Sequence, residues 1–260
     1  MSDKIIVEQI ARVKLIRLNR PHVMNAVDIE TMDELRKALL SSENDDTRVV
    51  VITGSNGSFC SGADIKSAMA SKLTPDQAVA VLQDSYGPTL RAIKNLKWPV
   101  IAAIDGAAAG IGLDLALACD IRLASKSATL SELFIKVGLI PDGGGTWSLR
   151  RLIGPARAME MTFTGESVPA TKALEWGLVN RVYQIETFEE DVLNFASNIA
   201  RQSPDALSYG KKAIREAATG TYEDALDREA AYQKKIFEGE WGFEGFKAFV
   251  EKRRPKWMDE

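Results

Sequence analysis

Three short segments carry the residue types best suited to chemistry. Two are turns of small residues: Ser58-Phe59-Cys60-Ser61-Gly62-Ala63-Asp64-Ile65-Lys66 and Asp105-Gly106-Ala107-Ala108-Ala109-Gly110-Ile111-Gly112-Leu113-Asp114. Small residues let a backbone approach a ligand closely, and free N–H groups at a helix start attract negative charge. The third is Ile140-Pro141-Asp142-Gly143-Gly144-Gly145-Thr146-Trp147. Asp142 there is either a turn residue with an Asx hydrogen bond or an acid presented on a glycine loop. Asp114 lies in an otherwise apolar helical stretch, residues 113–119, where an unpaired charge is costly. It is therefore either structurally paired or functional.

Other chemistries fit less well. Gly110-Ile111-Gly112 offers the start of a dinucleotide fingerprint, but Leu115 stands at the third glycine position. Residues 54–58 are not a phosphate loop, because no Gly-Lys-Ser/Thr follows. His22 is the single histidine, beside Pro21 in a loop, so metal binding or Ser-His catalysis would rest on it alone. A solvated loop histidine is the default; no metal is expected, and acid–base work falls to carboxylates.

The elements that must position these segments follow from periodicity. Residues 5–10 and 13–18 read as a hairpin, ended by Asn19-Arg20-Pro21. Asp28 is a candidate N-cap for a helix whose apolar face is Ile29, Met32, Leu35 and Leu39. Residues 49–53, 99–105 and 121–124 read as buried strands, and residues 67–97 as helical after a polar loop at 72–75. Alternating strands and helices predict an α/β domain with a mostly parallel sheet. Ligands in such sheets bind at the carboxyl ends of strands, where both small-residue turns fall. Helical patterns dominate from Pro155 onward. Residues 223–237 and 243–254 are amphipathic and carry Tyr232, Phe237, Trp241, Phe246 and Phe249, so the tail is expected to pack on the main body or a neighbouring subunit.

Composition narrows the class. The chain is 45% hydrophobic and 27% charged, ordinary for a globular domain. A net charge of −3 predicts no nucleic-acid surface, and no stretch approaches the ~20 apolar residues that span a bilayer. Met1-Ser2-Asp3-Lys4 lacks a signal-peptide pattern, and Cys60 and Cys119 imply no disulfide framework, so a cytoplasmic location is expected.

In order and spacing, a set of segments resembles the enoyl-CoA hydratase/isomerase (crotonase) superfamily. They are Asn19-Arg20-Pro21, Asn25-Ala26, Phe59 to Lys66, Trp98-Pro99-Val100, Asp105-Gly106, Asp114-Leu115-Ala116, Gly138-Leu139-Ile140-Pro141-Asp142, Gly177-Leu178-Val179 and Ala248-Phe249-Val250. The resemblance implies a right-handed spiral of ββα units over residues 1–195. It also implies a C-terminal helical trimerisation region, residues 196–260, and a homotrimer or homohexamer. It implies an acyl-CoA thioester as substrate, with coenzyme A part of that substrate and no separate cofactor. By residue matching, the backbone N–H groups of Ala63 and Ile111 form an oxyanion hole. Ala26, Gly62, Asp64, Ile65, Lys66, Gly110, Phe134 and Pro141 contribute to the substrate and CoA surface.

The carboxylates select the reaction. Family hydratases use two glutamates to place and split water; one matches Asp114, and the other matches Phe134. Asp142 matches the catalytic aspartate of the 1,2-epoxyphenylacetyl-CoA isomerase-like subgroup. The expected reaction is a double-bond shift in an enoyl-CoA, with Asp142 as base and acid and Asp114 in support. Enoyl-CoA hydration stays open, as do a non-catalytic acyl-CoA- or RNA-binding role and thioester hydrolysis. Glu132 is a further candidate acid that, on a strand, would share Phe134's face.

Overall fold

A computed structural model describes residues 3–258. Strands β1 (Ile5–Ile10) and β2 (Val13–Leu18) form the expected antiparallel hairpin, with Ile5 opposite Leu18. Helix α1 (Ile29–Ser41) follows, capped as expected by Asp28, whose Oδ1 accepts the Thr31 N–H at 2.8 Å. Strand β3 (Val49–Gly54) leads through the first small-residue turn into α2 (Ile65–Ala70) and α3 (Pro75–Val81). A π-helical turn (Leu82–Tyr86) then joins α3 to α4 (Gly87–Asn95). Strand β4 (Val100–Ile104) runs into β5 (Ala107–Ala109) and α5 (Ile111–Ala118). Next come β6 (Ile121–Ser125), β7 (Thr129–Ser131) and a 3-10 turn (Leu133–Val137). The remainder is α6 (Gly145–Thr164), β8 (Val168–Pro169), α7 (Ala170–Glu175), β9 (Arg181–Tyr183), α8 (Phe188–Ala200), α9 (Pro204–Glu216), α10 (Tyr222–Glu238) and α11 (Glu244–Val250).

The main sheet has the order β1-β2-β3-β4-β6-β9, parallel from β2 onward. Its central strands are apolar on both faces because both faces are covered, the usual condition of a parallel sheet. Val50 and Ile52 join the larger core with Met32, Leu35, Ile93 and Leu113. Val49 and Val51 point the other way, into a second cluster with Phe188, Val192 and Ala196 of α8. Each such buried side chain contributes roughly 1.5–3 kcal/mol over an exposed one. A smaller sheet, β5-β7-β8, stands behind the second turn. Its strands have two or three residues each, too short for a period-2 pattern, and periodicity did not reveal them.

A division after residue 195 falls inside α8, whose Val192, Ala196 and Ala200 pack together on the sheet. The helices beyond it are moored through Asp120, at the end of α5. Its Oδ2 accepts the Val100 N–H at 2.8 Å and meets Lys211 Nζ of α9 at the same distance, while Arg215 Nη2 reaches Oδ1 at 2.5 Å. Lys211 also donates to the Trp98 carbonyl at 2.8 Å. Burial pushes the Lys211 ammonium downward, so its charge depends on Asp120. Removing one partner of a buried pair strands the other. Asp120→Asn is expected to cost about 3 kcal/mol, read as a lower denaturant midpoint; an unchanged midpoint would show that α9 is held by other contacts.

Candidate active site

The site is made where the two small-residue turns meet. Cys60 and Ala108 form a parallel bridge: the Cys60 N–H donates to the Ala107 carbonyl and the Ala109 N–H to the Cys60 carbonyl, both at 2.9 Å. Such contact needs bare backbone. A side chain on Gly112 would strike the Cys60 carbonyl and side chain, and one on Gly62, at φ +114°, would press on the Ala109 carbonyl at 3.1 Å. On its other side the first turn bridges Val27, whose N–H donates to the Gly62 carbonyl while the Asp64 N–H donates back, both at 2.8 Å. Extended backbone alternates the direction of its N–H groups, so these two bonds turn the Ala63 N–H away from Val27. The Gly110 N–H is held by the Ser131 carbonyl at 2.9 Å, and Ile111 begins α5, where no helical acceptor precedes it. Among the described residues, neither the Ala63 nor the Ile111 N–H has a hydrogen-bond partner.

Both residues line one apolar cavity of about 370 Å³ with Gly62, Ile65, Gly110 and Phe134. Asp142 is the carboxylate on its wall. It is open to water yet crowded by protein, as a side chain on a concave wall must be, and this crowding raises its carboxyl above the usual range. Asp114 lies behind that wall, 1% exposed. Its Oδ2 accepts the Gly143 N–H at 2.8 Å, whereas its Oδ1 has no partner. Burial raises the Asp114 carboxyl, the nearby charge of Asp142 adds to the rise, and the Gly143 N–H, with a smaller contribution from the Gly145 N–H, opposes both.

The glycine run has a steric cause. A side chain on Gly143 would collide with Ile111 and Asp114, and one on Gly145 with Asp114 and Glu132. Helix α6 can therefore start directly against α5.

Glu132 departs from the strand expectation. Strand β7 ends at Ser131, and Leu133–Val137 is a 3-10 turn, so alternation no longer applies. Phe134 turns its ring toward Gly110 and the cavity, while Glu132 is fully buried beside Asp114 and Gly145. Burial, then the charges of Asp114 and Asp142, push its carboxyl far up.

The remaining residues singled out by sequence lie around this centre. Pro141 is buried under Gly145 and does not line the cavity. Ala26 is buried, with its carbonyl accepting from Arg20 at 2.6 Å. Asp64 caps α2 through the Ser67 N–H and pairs with Arg20 at 2.8 Å, so its carboxylate is already occupied. Lys66 is exposed on α2, outside the cavity, and His22 is exposed on a short 3-10 turn. The three converging carboxyls do not form a metal cage; among the described residues no group of three or more His, Cys, Asp or Glu is placed to hold an ion. No helix among them is long and apolar enough to cross a membrane.

Sequence reasoning assigned no role to two contributors. Asn25, at φ +56°, is 1% exposed and ties the 24–27 segment to the Ser55 and Ser58 carbonyls at 2.9 and 2.6 Å. Tyr86, on the π-helical turn, lines the cavity and donates to the Val27 carbonyl at 3.2 Å. A polar residue at a positive-φ position could have pointed to Asn25 only once the turn was known. A larger groove of about 640 Å³, between Trp147, Leu207 and Lys211, holds none of the candidate catalytic or substrate-binding residues.

Comparison with known proteins agrees over nearly the whole chain. The family description Enoyl-CoA hydratase/isomerase matches residues 8–260. The 1,2-epoxyphenylacetyl-CoA isomerase of Escherichia coli is 38% identical over 247 residues, covering 94% of each chain. The mitochondrial enoyl-CoA hydratase of Pongo abelii is 35% identical over 257 residues, covering 95% of this chain and 84% of that one. The crystal structure of an enoyl-CoA hydratase from Bacillus anthracis superposes with a TM-score of 0.93 at 34% identity, covering 99% of this chain and 100% of that one. The chain belongs to the enoyl-CoA hydratase/isomerase family and has its crotonase-like α/β fold.

The clamp between the glycine run and α5 is open to test. Gly143→Ala is expected to lower stability by about 1–3 kcal/mol and to reduce kcat, because the clash with Ile111 and Asp114 pushes the residue 143 N–H off the Asp114 carboxylate. A melting temperature and kcat equal to the parent's would show that Gly143 is not confined.

Proposed function

We propose that this enzyme shifts the double bond of an enoyl-CoA through a thioester enolate. The observation that carries the reading is that Asp142 stands on the wall of the apolar cavity while Asp114 and Glu132 lie outside its lining. One accessible carboxylate suffices to take a proton from one carbon and return it to another; placing and splitting water calls for two acids at the reacting atoms.

In a 3-enoyl-CoA, the Asp142 carboxylate takes the C2 proton. The electrons of the broken C–H bond move into the conjugated enolate, and the Asp142 carboxyl, whose proton exchanges with water, then protonates C4 with the double bond now at C2. Negative charge builds on the thioester oxygen between the Ala63 and Ile111 N–H groups. Preorganised donors hold that charge more strongly than the ground state, and losing one typically costs ~10²–10³ in rate. The first turn of α5 adds its positive end. Phe134 keeps water from the enolate, which favours return of the proton to carbon. Asp114 supports the Asp142 loop through Gly143. Coenzyme A belongs to the substrate, so the reaction requires no further cofactor, and Lys66 with the Ala26 segment supplies its outer binding surface.

Hydration of a 2-enoyl-CoA is the second reading. It is favoured by the ionisable Asp114 directly behind the wall, whose Oδ1 has no partner, and by relatives named as hydratases. We further propose a homotrimer or homohexamer in the cytoplasm. Phe243, Phe246, Phe249 and Val250 on and beside α11 are more than 60% exposed, an apolar surface that a second copy would cover. Light scattering that returned a monomer would remove that proposal.

Incubation of 3-hexenoyl-CoA and crotonyl-CoA in heavy water separates the two reactions. The expected outcome is double-bond migration with deuterium exchange and no 3-hydroxy product. Asp142→Asn is expected to lower the rate ~10²–10⁴-fold. Rapid formation of 3-hydroxyacyl-CoA that is lost in Asp114→Asn would favour hydration instead. The raised Asp142 carboxyl sets the acid limb of the pH profile. The base is ionised above its pKa, so activity falls as pH drops through a value higher than that of an ordinary aspartate. An acid limb at the ordinary aspartate value would count against Asp142 as the base.

A further inference from the structure

Glu132 is used by neither reaction above, yet its burial demands a cause. Both of its carboxyl oxygens, and Oδ1 of Asp114, are buried without a hydrogen-bond partner. Asp114 Oδ1 and Glu132 Oε1 flank the same point, the space beside Gly145 into which a methyl group could not fit. The absence of a side chain at Gly145 is what lets both oxygens occupy this space. The charges acting on Glu132 are those of Asp114 on α5 and Asp142 on the loop before α6. Lys136, on the adjoining 3-10 turn, is exposed, passes beside Gly165 and lines the cavity with Asp142. Helix α6 contributes Gly145 itself to this contact, and β7 contributes Ser131, neither of which carries charge.

Two carboxylates so enclosed do not both stay ionised; the pair keeps a proton. The donors decide where it resides. The Gly143 N–H donates to Asp114 Oδ2 and favours the charged form there, while Glu132 receives no donor and favours the neutral form. We propose that Glu132 is a positioning residue that stays protonated and donates its hydroxyl to Asp114 Oδ1, holding Asp114 ionised and fixed behind Asp142. That bond gives Asp114 Oδ1 and the protonated oxygen of Glu132 a partner each. The repulsion between the Asp114 and Asp142 charges is mutual, so the held charge on Asp114 helps to keep Asp142 basic. This role rests on the proposed use of Asp142 as the base; the shared proton itself does not.

Burial and two acidic neighbours place Glu132 above the ordinary carboxyl range, so it is neutral at pH 7 and ionises only on the alkaline side. Ionisation there adds a second charge to the enclosure, breaks the hydrogen bond and opposes enolate formation. The wild-type kcat/KM profile should therefore carry an alkaline limb. Glu132→Gln keeps an N–H donor for Asp114 and cannot ionise; it should remain within about threefold of the parent at pH 7 and lose that limb. Glu132→Leu removes the donor, so Asp114 takes up the proton, its repulsion of Asp142 is lost, and the acid limb should move to lower pH.

Infrared spectroscopy of the ligand-free wild type reads the proton without turnover. A protonated-carboxyl carbonyl band at pH 7, lost in Glu132→Gln, is the expected result. Its absence from the wild type, or its persistence unchanged in Glu132→Gln, would overturn the proposal even if a variant failed to fold. An alkaline limb identical in wild type and Glu132→Gln would overturn the positioning role. If the band is found but no enoyl-CoA is isomerised, the shared proton stands and the reaction assigned to Asp142 fails.

Discussion

The site depends on one contact, the parallel bridge of bare backbone between Cys60 and Ala108. It sets the ends of β3 and β4 side by side and fixes the spacing of the two turns that follow them. A backbone bridge is rigid because both partners are already held: the first turn by Val27, the second by Ser131. Gly112 allows α5 to start directly on Cys60, and this brings the Ile111 N–H to the cavity that Ala63 lines. Side-chain identity at 63 and 111 is secondary to this arrangement, since it is the peptide groups that are presented.

The same close approach governs the acids. Helix α5 is buried along its whole length, and the glycine run before α6 presses on Asp114 and Ile111. An acid in such a place must be bonded, neutral or working. Asp114 accepts one N–H, Glu132 accepts none, and Asp142 opens on the cavity. Three carboxyls of one composition thus acquire different protonation preferences from burial and donor supply alone. That separation is what a site moving a proton near neutral pH requires.

Much of this was legible in the order of residues. The apolar runs of β3 and β4, the Asp28 cap and the apolar helix around Asp114 each carry a local signal, and the structure contains each of them. The small sheet escaped because three-residue segments such as Ala107–Ala109 carry no periodicity. Nothing local marks Ser131 as the end of β7, so the sequence leaves strand geometry open for Glu132. Its nearness to Asp114 is a long-range fact created by Gly145. The π-helical turn that brings Tyr86 to the cavity is a property of how α3 meets α4, not of residues 82–86 taken alone. What periodicity cannot supply is the meeting of segments far apart in the chain, and the site consists of such meetings.

The central claim is that backbone donors, independent of the acids, hold the developing charge. The most direct test is the carbonyl stretch of a ¹³C-labelled acyl-CoA thioester bound to the enzyme, compared with the same thioester in water. The shift to lower frequency should be present in the wild type and equally present in Asp142→Asn, because the Ala63 and Ile111 N–H groups are untouched. A bound thioester whose carbonyl is unshifted in both proteins would contradict the account.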